Sequence, residues 1–132
     1  IRDAGKDVWF HSDGWILEII DDLIEIGVNY LNPQHEIMDT WRVADIVRGR
    51  ACIGTDLDRQ WAIPFGKPED VVAGAERAIA AFGANGGGVI LHGEVGPEVP
   101  LANIEAMWSA FYRLGAYPLG WLPDYLKSVG RA

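Results

Sequence analysis

Short apolar segments alternate with longer amphipathic segments four times along the chain. The apolar segments are bounded by polar residues, Gly or Pro, and they cover residues 8–11, 28–32, 51–55 and 88–92. Apolar runs of this length without a polar alternation are typical of strands buried on both faces, as in parallel sheets.

A segment with helical spacing follows each predicted strand. The pattern predicts helices over 15–26 and 37–48, each followed by a glycine, and two further helices that begin at Pro68 and Pro100. In the last helix, Leu101, Ile104, Met107, Trp108 and Phe111 are expected to face inward. Strands that alternate with helices indicate a parallel sheet, so the predicted class is α/β with four consecutive βα units. No change in composition divides residues 1–132, which we interpret as one domain with a packing tail over 116–132.

Composition narrows the classes of partner. The formal net charge is −8, from 19 acidic and 11 basic residues, which opposes binding to nucleic acid and to anionic membranes. No apolar run approaches the roughly 20 residues that span a bilayer. The polar first residues predict no signal peptide, and we expect a further segment of the protein before them.

The single cysteine suits a reducing, cytoplasmic location. Several of the six tryptophans are expected to be buried in the fold or against a partner.

Polar side chains spaced two residues apart stand at the end of each predicted strand. The pairs are His11 and Asp13, Asn32 and Gln34, Asp56 and Asp58, and His92 and Glu94. Residues i and i+2 of an extended segment point the same way, and the carboxyl ends of parallel strands meet at one edge of the sheet. The four pairs therefore predict a single ligand site.

Some of these strand-end residues could instead have purely structural roles. Asp13 could cap the helix that follows, Asn32 could shape the turn before Pro33, and Asp56 and Asp58 could solvate a loop. His11 and His92 favour a site role, because an imidazole that ends an apolar strand needs hydrogen-bond partners.

Three other features of the sequence predict structural roles only. His35 is expected at the surface near a helix start, and Cys52 is expected to pack as a small hydrophobe inside its strand. The glycine-rich run over 83–88 follows a helix and precedes a strand, which is the opposite order to a phosphate-binding loop. We interpret this glycine-rich run as a flexible connection between the helix and the strand.

The residues around the strand ends resemble a known family. Residues 8–14, 26–34 and 54–58 are similar to the fifth, sixth and seventh strand regions of the uroporphyrinogen decarboxylase superfamily, and residues 64–71, 86–92 and 99–106 continue the resemblance. The resemblance covers nearly the whole chain. It implies a (β/α)₈ barrel of which this chain holds the last four units.

One branch of that family, the corrinoid-dependent methyltransferases, uses zinc to activate a thiol. Its His-x-Cys ligand motif aligns with His11-Ser12-Asp13, and its later Cys falls near His92. The resemblance therefore implies that His11, Asp13 and His92 hold zinc or another divalent metal, with a carboxylate in place of a thiolate. It implies a methylated or tetrapyrrole substrate and a corrinoid protein as partner.

Under the metal-assisted hypothesis, the other strand-end residues have supporting roles. Asp56, Asp58 and Glu94 would hold the metal ligands in place or act as acid–base residues, His92 is also a candidate catalytic residue, and Asn32 and Gln34 are candidate cofactor-binding residues.

Two alternatives to the metal-assisted methyltransferase remain open at this point. The first is a cofactor-free uroporphyrinogen-type decarboxylase in which His92 is the proton donor or a substrate contact. The second is a non-catalytic half-barrel that pairs with a second copy or with the missing half, because a half-barrel exposes two sheet edges.

Overall fold

The fold, taken from a computed structural model that describes residues 1–131, is built on one four-stranded sheet. Its strands are β1 (Trp9–Ser12), β2 (Tyr30–Pro33), β3 (Cys52–Asp56) and β4 (Val89–His92). The strand order is β1-β2-β3-β4 and every pairing is parallel. The predicted α/β class with four parallel strands is confirmed, and this order is compatible with half of a barrel.

The helices connect successive strands or follow the last one. They are α1 (Ile20–Glu25), α2 (Thr40–Val47), α3 (Ala62–Phe65), α4 (Pro68–Gly83), α5 (Leu101–Leu114) and α6 (Leu122–Ser128). Short 3₁₀ segments cover Arg2–Ala4, Leu17–Ile19 and His35–Met38. The helix predicted over 15–26 is therefore a 3₁₀ turn followed by a short α-helix, and α3 and α6 were not expected.

Local chemistry sets the helix ends. α4 begins at Pro68, as predicted, and the Asp70 carboxylate accepts a hydrogen bond from the Lys67 N–H at 2.8 Å. This contact satisfies a donor at the helix start that has no partner within the helix. Gly27 and Gly49 follow α1 and α2 with positive φ angles of 105° and 74°, a conformation that favours glycine.

The hydrophobic core lies on one face of the sheet. Leu31 and Ile53 point to this face and pack with residues of the helices, among them Ile20, Val43 and Ile79. The opposite face carries Trp9 and Ile90, whose exposed fractions are 67% and 51%. Within residues 1–131, no helix covers this second face. The expectation of strands buried on both faces is therefore met on one face only, and we call the other the open face.

Several expectations about individual side chains are wrong. His35 is fully buried rather than at the surface, because the His35–Met38 turn directs its ring against Phe82, with the two ring centroids 5.1 Å apart. In α5, Leu101 and Trp108 are exposed while Asn103 is buried, since the Asn103 amide donates to the carbonyls of Ile63 and Gly66 at 2.9 Å.

None of the six tryptophans is buried within residues 1–131. Four of them are exposed, and only Trp41 and Trp121 are half-buried. Cys52 is also half-buried, at the start of β3.

The tail contacts the body of the fold through two hydrogen bonds. The Tyr117 hydroxyl donates to the Gly83 carbonyl at 2.7 Å, and the Trp121 indole N–H donates to the Leu114 carbonyl at 3.0 Å. Across residues 1–131, every helix is too short or too polar to cross a bilayer.

Candidate functional site

His11 is held at the end of β1 by its neighbour on β2. The parallel register places His11 beside Asn32, and Nδ1 of His11 lies 2.8 Å from the Asn32 carbonyl oxygen and 2.9 Å from Oδ1. The Asn32 amide in turn donates to the Gly54 carbonyl on β3 at 3.2 Å. Asn32 therefore orients the ring of His11, and Nε2 of His11 faces Asp13 at 2.9 Å.

Asp13 belongs to a charged network across the rim of the sheet. The Arg59 guanidinium contacts both Asp13 and Glu94. The Gln34 amide donates to Asp13 at 3.2 Å and accepts from the Gln60 amide at 2.9 Å. Desolvation acts to raise the pKa of Asp13, but the charges of Arg59 and His11 and the hydrogen bonds it accepts hold that pKa below its usual value. These partners are side chains, and the helical segments that follow show no side-chain cap hydrogen bond, so Asp13 does not act as a helix cap.

His92 forms a second imidazole–carboxylate pair. The register of β3 and β4 places His92 beside Asp56, and Nδ1 of His92 lies 3.3 Å from Oδ1 of Asp56. The Asp56 side chain is only 5% exposed. Nδ1 of His92 therefore faces the Asp56 carboxylate, and Nε2 lies on the open face beside Gly54, 2.8 Å from where a Cβ atom at position 54 would stand.

Tyr30 lies beside Nε2 of His92, directly above Gly54. A Cβ atom at position 54 would meet the Tyr30 hydroxyl oxygen at 2.2 Å and Nε2 of His92 at 2.8 Å. Only glycine leaves room for both groups. Desolvation is the main cause that raises the pKa of Tyr30, with smaller contributions from Cys52 and Asp56, so its hydroxyl remains neutral and able to donate a hydrogen bond.

Asp58 is the one strand-end candidate that lies apart from the others. Its carboxylate accepts from the backbone N–H of Gln60 at 3.1 Å and of Trp61 at 2.9 Å, which shapes the turn before α3. It lines a different cavity, of about 260 Å³, together with Asp70 and Arg77.

Five of the remaining candidates line one open hollow of about 560 Å³, and Asp13 and Gln34 adjoin it through the contacts of Asp13 with His11 and Gln34. Its lining residues are Trp9, His11, Tyr30, Asn32, Asp56, His92, Gly93 and Glu94. Tyr30 and Trp9 were missed from the sequence, although each stands two residues before a candidate on the same strand. Arg59 was also missed, because it lies in the loop after β3 and its distance in sequence from Asp13 gives no signal.

The donor atoms at this site match a divalent metal in kind. Imidazole and carboxylate are suitable ligands, and His11 is oriented by Asn32 as metal-binding histidines commonly are. Among residues 1–131, however, no three His, Cys, Asp or Glu side chains are placed so that together they could bind a metal ion. Arg59 lies against Asp13, so in this arrangement a guanidinium balances the carboxylate.

Comparison with known proteins leaves the site to be interpreted from its own geometry. No family model matches the chain, and neither the curated proteins nor the solved structures gave a match.

Proposed function

We propose that this chain forms the C-terminal half of a (β/α)₈ barrel of the uroporphyrinogen decarboxylase superfamily and supplies an acid–base site for decarboxylation. The observation that carries the proposal is the pair of His92 and the nearly buried Asp56, with Nε2 of His92 directed to the open face. An imidazole held by a carboxylate in this way can exchange a proton with a bound substrate.

The reaction requires few groups. In the substrate, the bond between carbon and carboxylate breaks, CO₂ leaves, and the electron pair stays on the carbon. Nε2 of protonated His92 gives its proton to that carbon, and solvent returns a proton to the imidazole. Asp56 stabilises the imidazolium and keeps the ring oriented, which makes it a positioning residue.

A charged network orders the rim of the hollow. Arg59 is a cation at this rim, and its guanidinium is shared between the carboxylates of Asp13 and Glu94. Gln34 and Asn32 hold Asp13 and His11 in place. In this proposal they order the rim rather than carry out proton transfer.

The test is turnover by the complete protein. We expect carboxylated porphyrinogens to release CO₂ in the presence of a chelator, and we expect His92→Gln to lower kcat by roughly 10²–10⁴-fold. His35→Gln is the matched control, because His35 is buried away from the rim. Turnover that requires added metal, or that is unchanged in His92→Gln, would contradict the proposal.

A metal-assisted methyltransferase is the second candidate. The observation that favours it is the 2.9 Å contact between Nε2 of His11 and Asp13, with Nδ1 already held by Asn32. His11, Asp13 and His92 would hold the metal, with zinc the ion implied by the resemblance. When bound, the metal would polarise the substrate or activate a nucleophile, and the partner would be a corrinoid protein.

Calorimetric titration with Zn²⁺ separates the two candidates. The methyltransferase requires stoichiometric binding that is weakened in His11→Ala and His92→Ala and strengthened in Arg59→Met, which frees Asp13. Absence of Zn²⁺ binding to all of these proteins would contradict the metal version.

A further inference from the structure

The Tyr30 hydroxyl and Nε2 of His92 converge on one point above Gly54. Measured from the position that a Cβ atom of residue 54 would occupy, the hydroxyl oxygen lies at 2.2 Å and Nε2 at 2.8 Å. Because the gap between the two polar atoms cannot exceed the sum of these distances, they are at most 5.0 Å apart. A single ligand oxygen can therefore lie at a hydrogen-bond distance of about 2.8 Å from both atoms.

Both polar atoms are available to a ligand. Within residues 1–131, the Tyr30 hydroxyl has no hydrogen-bond partner, and His92 faces Asp56 with its other ring nitrogen, Nδ1. Both side chains line the open hollow of about 560 Å³. Ligand sites typically combine such a hollow with a few polar groups that converge on one place, so this pair is suited to binding an atom of the substrate.

The sheet holds the ring of Tyr30 in place. Tyr30 is the register partner of Trp9 on β1 and of Cys52 on β3. The Trp9 and Tyr30 rings pack edge to face, with their centroids 5.7 Å apart. On the other side, Gly54 lacks the side chain that would displace the hydroxyl. The hydroxyl is thereby fixed relative to His92 before any ligand arrives, which lowers the entropic cost of binding.

The two groups favour an anionic oxygen. The Tyr30 hydroxyl is a neutral donor, and protonated His92 carries an N–H at Nε2 while Asp56 balances its charge from the other side of the ring. Glu94, the other carboxylate that lines the hollow, contacts Arg59. Each of the two acidic side chains therefore has a cationic partner of its own, and the donor pair is left to a carboxylate of the ligand.

We propose that the Tyr30 hydroxyl and Nε2 of His92 together bind one oxygen of the substrate carboxylate, which makes Tyr30 a positioning residue. The identity of the substrate rests here on the proposed decarboxylation. The hydrogen bond from Tyr30 holds the carboxylate so that the carbon bonded to it lies next to Nε2. The bond between them breaks, CO₂ leaves, the electron pair stays on that carbon, and the proton of Nε2 moves to it.

The two donors differ in the kinetic constant that they control. The carboxylate is charged in the bound substrate and loses its charge as CO₂ forms. The hydrogen bond from Tyr30 therefore stabilises the bound substrate at least as much as the transition state, and its removal should raise KM rather than lower kcat. Removal of His92, the proton donor, should lower kcat.

Binding of acetate to the 132-residue chain tests the site without turnover. Nitrogen-15 NMR follows the imidazole of His92 as sodium acetate is added, with sodium chloride at the same ionic strength as the reference. We expect a saturable shift. Tyr30→Phe keeps the ring and removes only the hydroxyl, so it should raise the acetate dissociation constant roughly ten-fold, as loss of a hydrogen bond to a charged group does.

Tyr112→Phe is the matched control, because Tyr112 lies on α5 and is 87% exposed. It should leave the acetate dissociation constant unchanged, and far-ultraviolet circular dichroism checks that both variants are folded. In the complete protein, we expect Tyr30→Phe to raise KM for the carboxylated porphyrinogen roughly ten-fold with kcat nearly unchanged.

The outcomes separate this site from the proposed reaction. Absence of a saturable shift of the His92 imidazole, or an acetate dissociation constant that is unchanged in Tyr30→Phe, would overturn the carboxylate site even if the protein releases CO₂. A fall in kcat at unchanged KM would also overturn the positioning role. Weakened acetate binding in Tyr30→Phe, in a protein that releases no CO₂, would support the carboxylate site and contradict the decarboxylation.

Discussion

Nδ1 of His92 lies 3.3 Å from the carboxylate of Asp56, which is nearly buried beneath the ring. The contact joins residues that are direct partners in the register of β3 and β4. It fixes which ring nitrogen is directed to the hollow, so the chemistry assigned to His92 depends on Asp56.

We expect Asp56→Asn to impair that chemistry while leaving the fold intact. The asparagine amide can donate to Nδ1, which favours the wrong tautomer and no longer stabilises an imidazolium. If decarboxylation is the activity, kcat should fall by roughly 10²–10⁴-fold, as measured by CO₂ release. Asp58→Asn is the control, because Asp58 accepts backbone hydrogen bonds near α3 and lies outside the hollow. Equal losses in the two variants would contradict the assigned role.

We expect Arg59→Met to raise the pKa of Asp13 toward its ordinary value. Arg59 is the leading cause of the lowered pKa, against an opposing effect of desolvation. A carboxyl whose folded pKa is lowered adds stability above its unfolded pKa and loses that stability as the pH falls through the folded pKa. In the wild type, this stability is lost as the pH drops below the ordinary aspartate pKa of 3.8. Carbon-13 NMR of the Asp13 carboxyl measures the shift, and an unchanged titration curve in the variant would contradict it.

Buried His35 should make the fold sensitive to mild acid. Desolvation, with the charge of Arg77, lowers its pKa from 6.5 to about 3, and Nε2 of His35 has no hydrogen-bond partner within residues 1–131. The unfolded chain therefore binds a proton that the folded chain does not, and stability falls as the pH drops below 6.5. At 1.36 kcal/mol per pH unit, the free energy of unfolding should fall by about 2 kcal/mol between pH 6.5 and about pH 5.

Urea unfolding at several pH values measures this dependence. His35→Leu should flatten it over the same interval, whatever the variant does to stability at neutral pH. His11→Gln is the control, because His11 lies at the solvent-accessible rim. Glu36, whose pKa is raised mainly by desolvation, acts in the opposite direction as the pH falls, and it is present in both proteins that are compared. An unchanged slope in His35→Leu would contradict the assignment.

We expect Gly54→Ala to displace Tyr30 and His92. The added methyl group would lie 2.2 Å from the Tyr30 hydroxyl oxygen and 2.8 Å from Nε2 of His92, and overpacking of this kind typically costs about 1–3 kcal/mol. The His92 ring signals in the NMR spectrum should move with it. Gly120→Ala is the control, since no atom lies within 4 Å of its added Cβ. A Gly54→Ala variant with unchanged stability and unchanged His92 signals would contradict the close approach.

The alternation of apolar and amphipathic segments was sufficient to predict four βα units, because each strand must bury at least one side against a helix. It did not predict which face would stay open, since Trp9 and Ile90 are as apolar as the buried Leu31 and Ile53. The pattern also gave no sign that His35 is buried, because a 3₁₀ turn rather than helical periodicity directs its ring.

Part of the candidate site could be predicted from the sequence, because its residues are partners in the register of the sheet. His11 and Asn32, and likewise Asp56 and His92, are register partners on neighbouring parallel strands, so their approach follows from the strand ends alone. Arg59 is held by contacts with residues far away in sequence, and such contacts become visible only when the chain is folded. Asp58 shows the reverse case, because the turn before α3 carries it away from its neighbour Asp56.

The Arg59 bridge has a consequence for the shape of the sheet. Asp13 follows β1 and Glu94 follows β4, so one guanidinium ties together the ends of the two outermost strands. Adjacent strands are about 4.8 Å apart, and this tie favours a curled sheet over a flat one. Arg59 thereby limits the width of the opening of the hollow. The size of molecule that can enter depends on whether Arg59 contacts both Asp13 and Glu94.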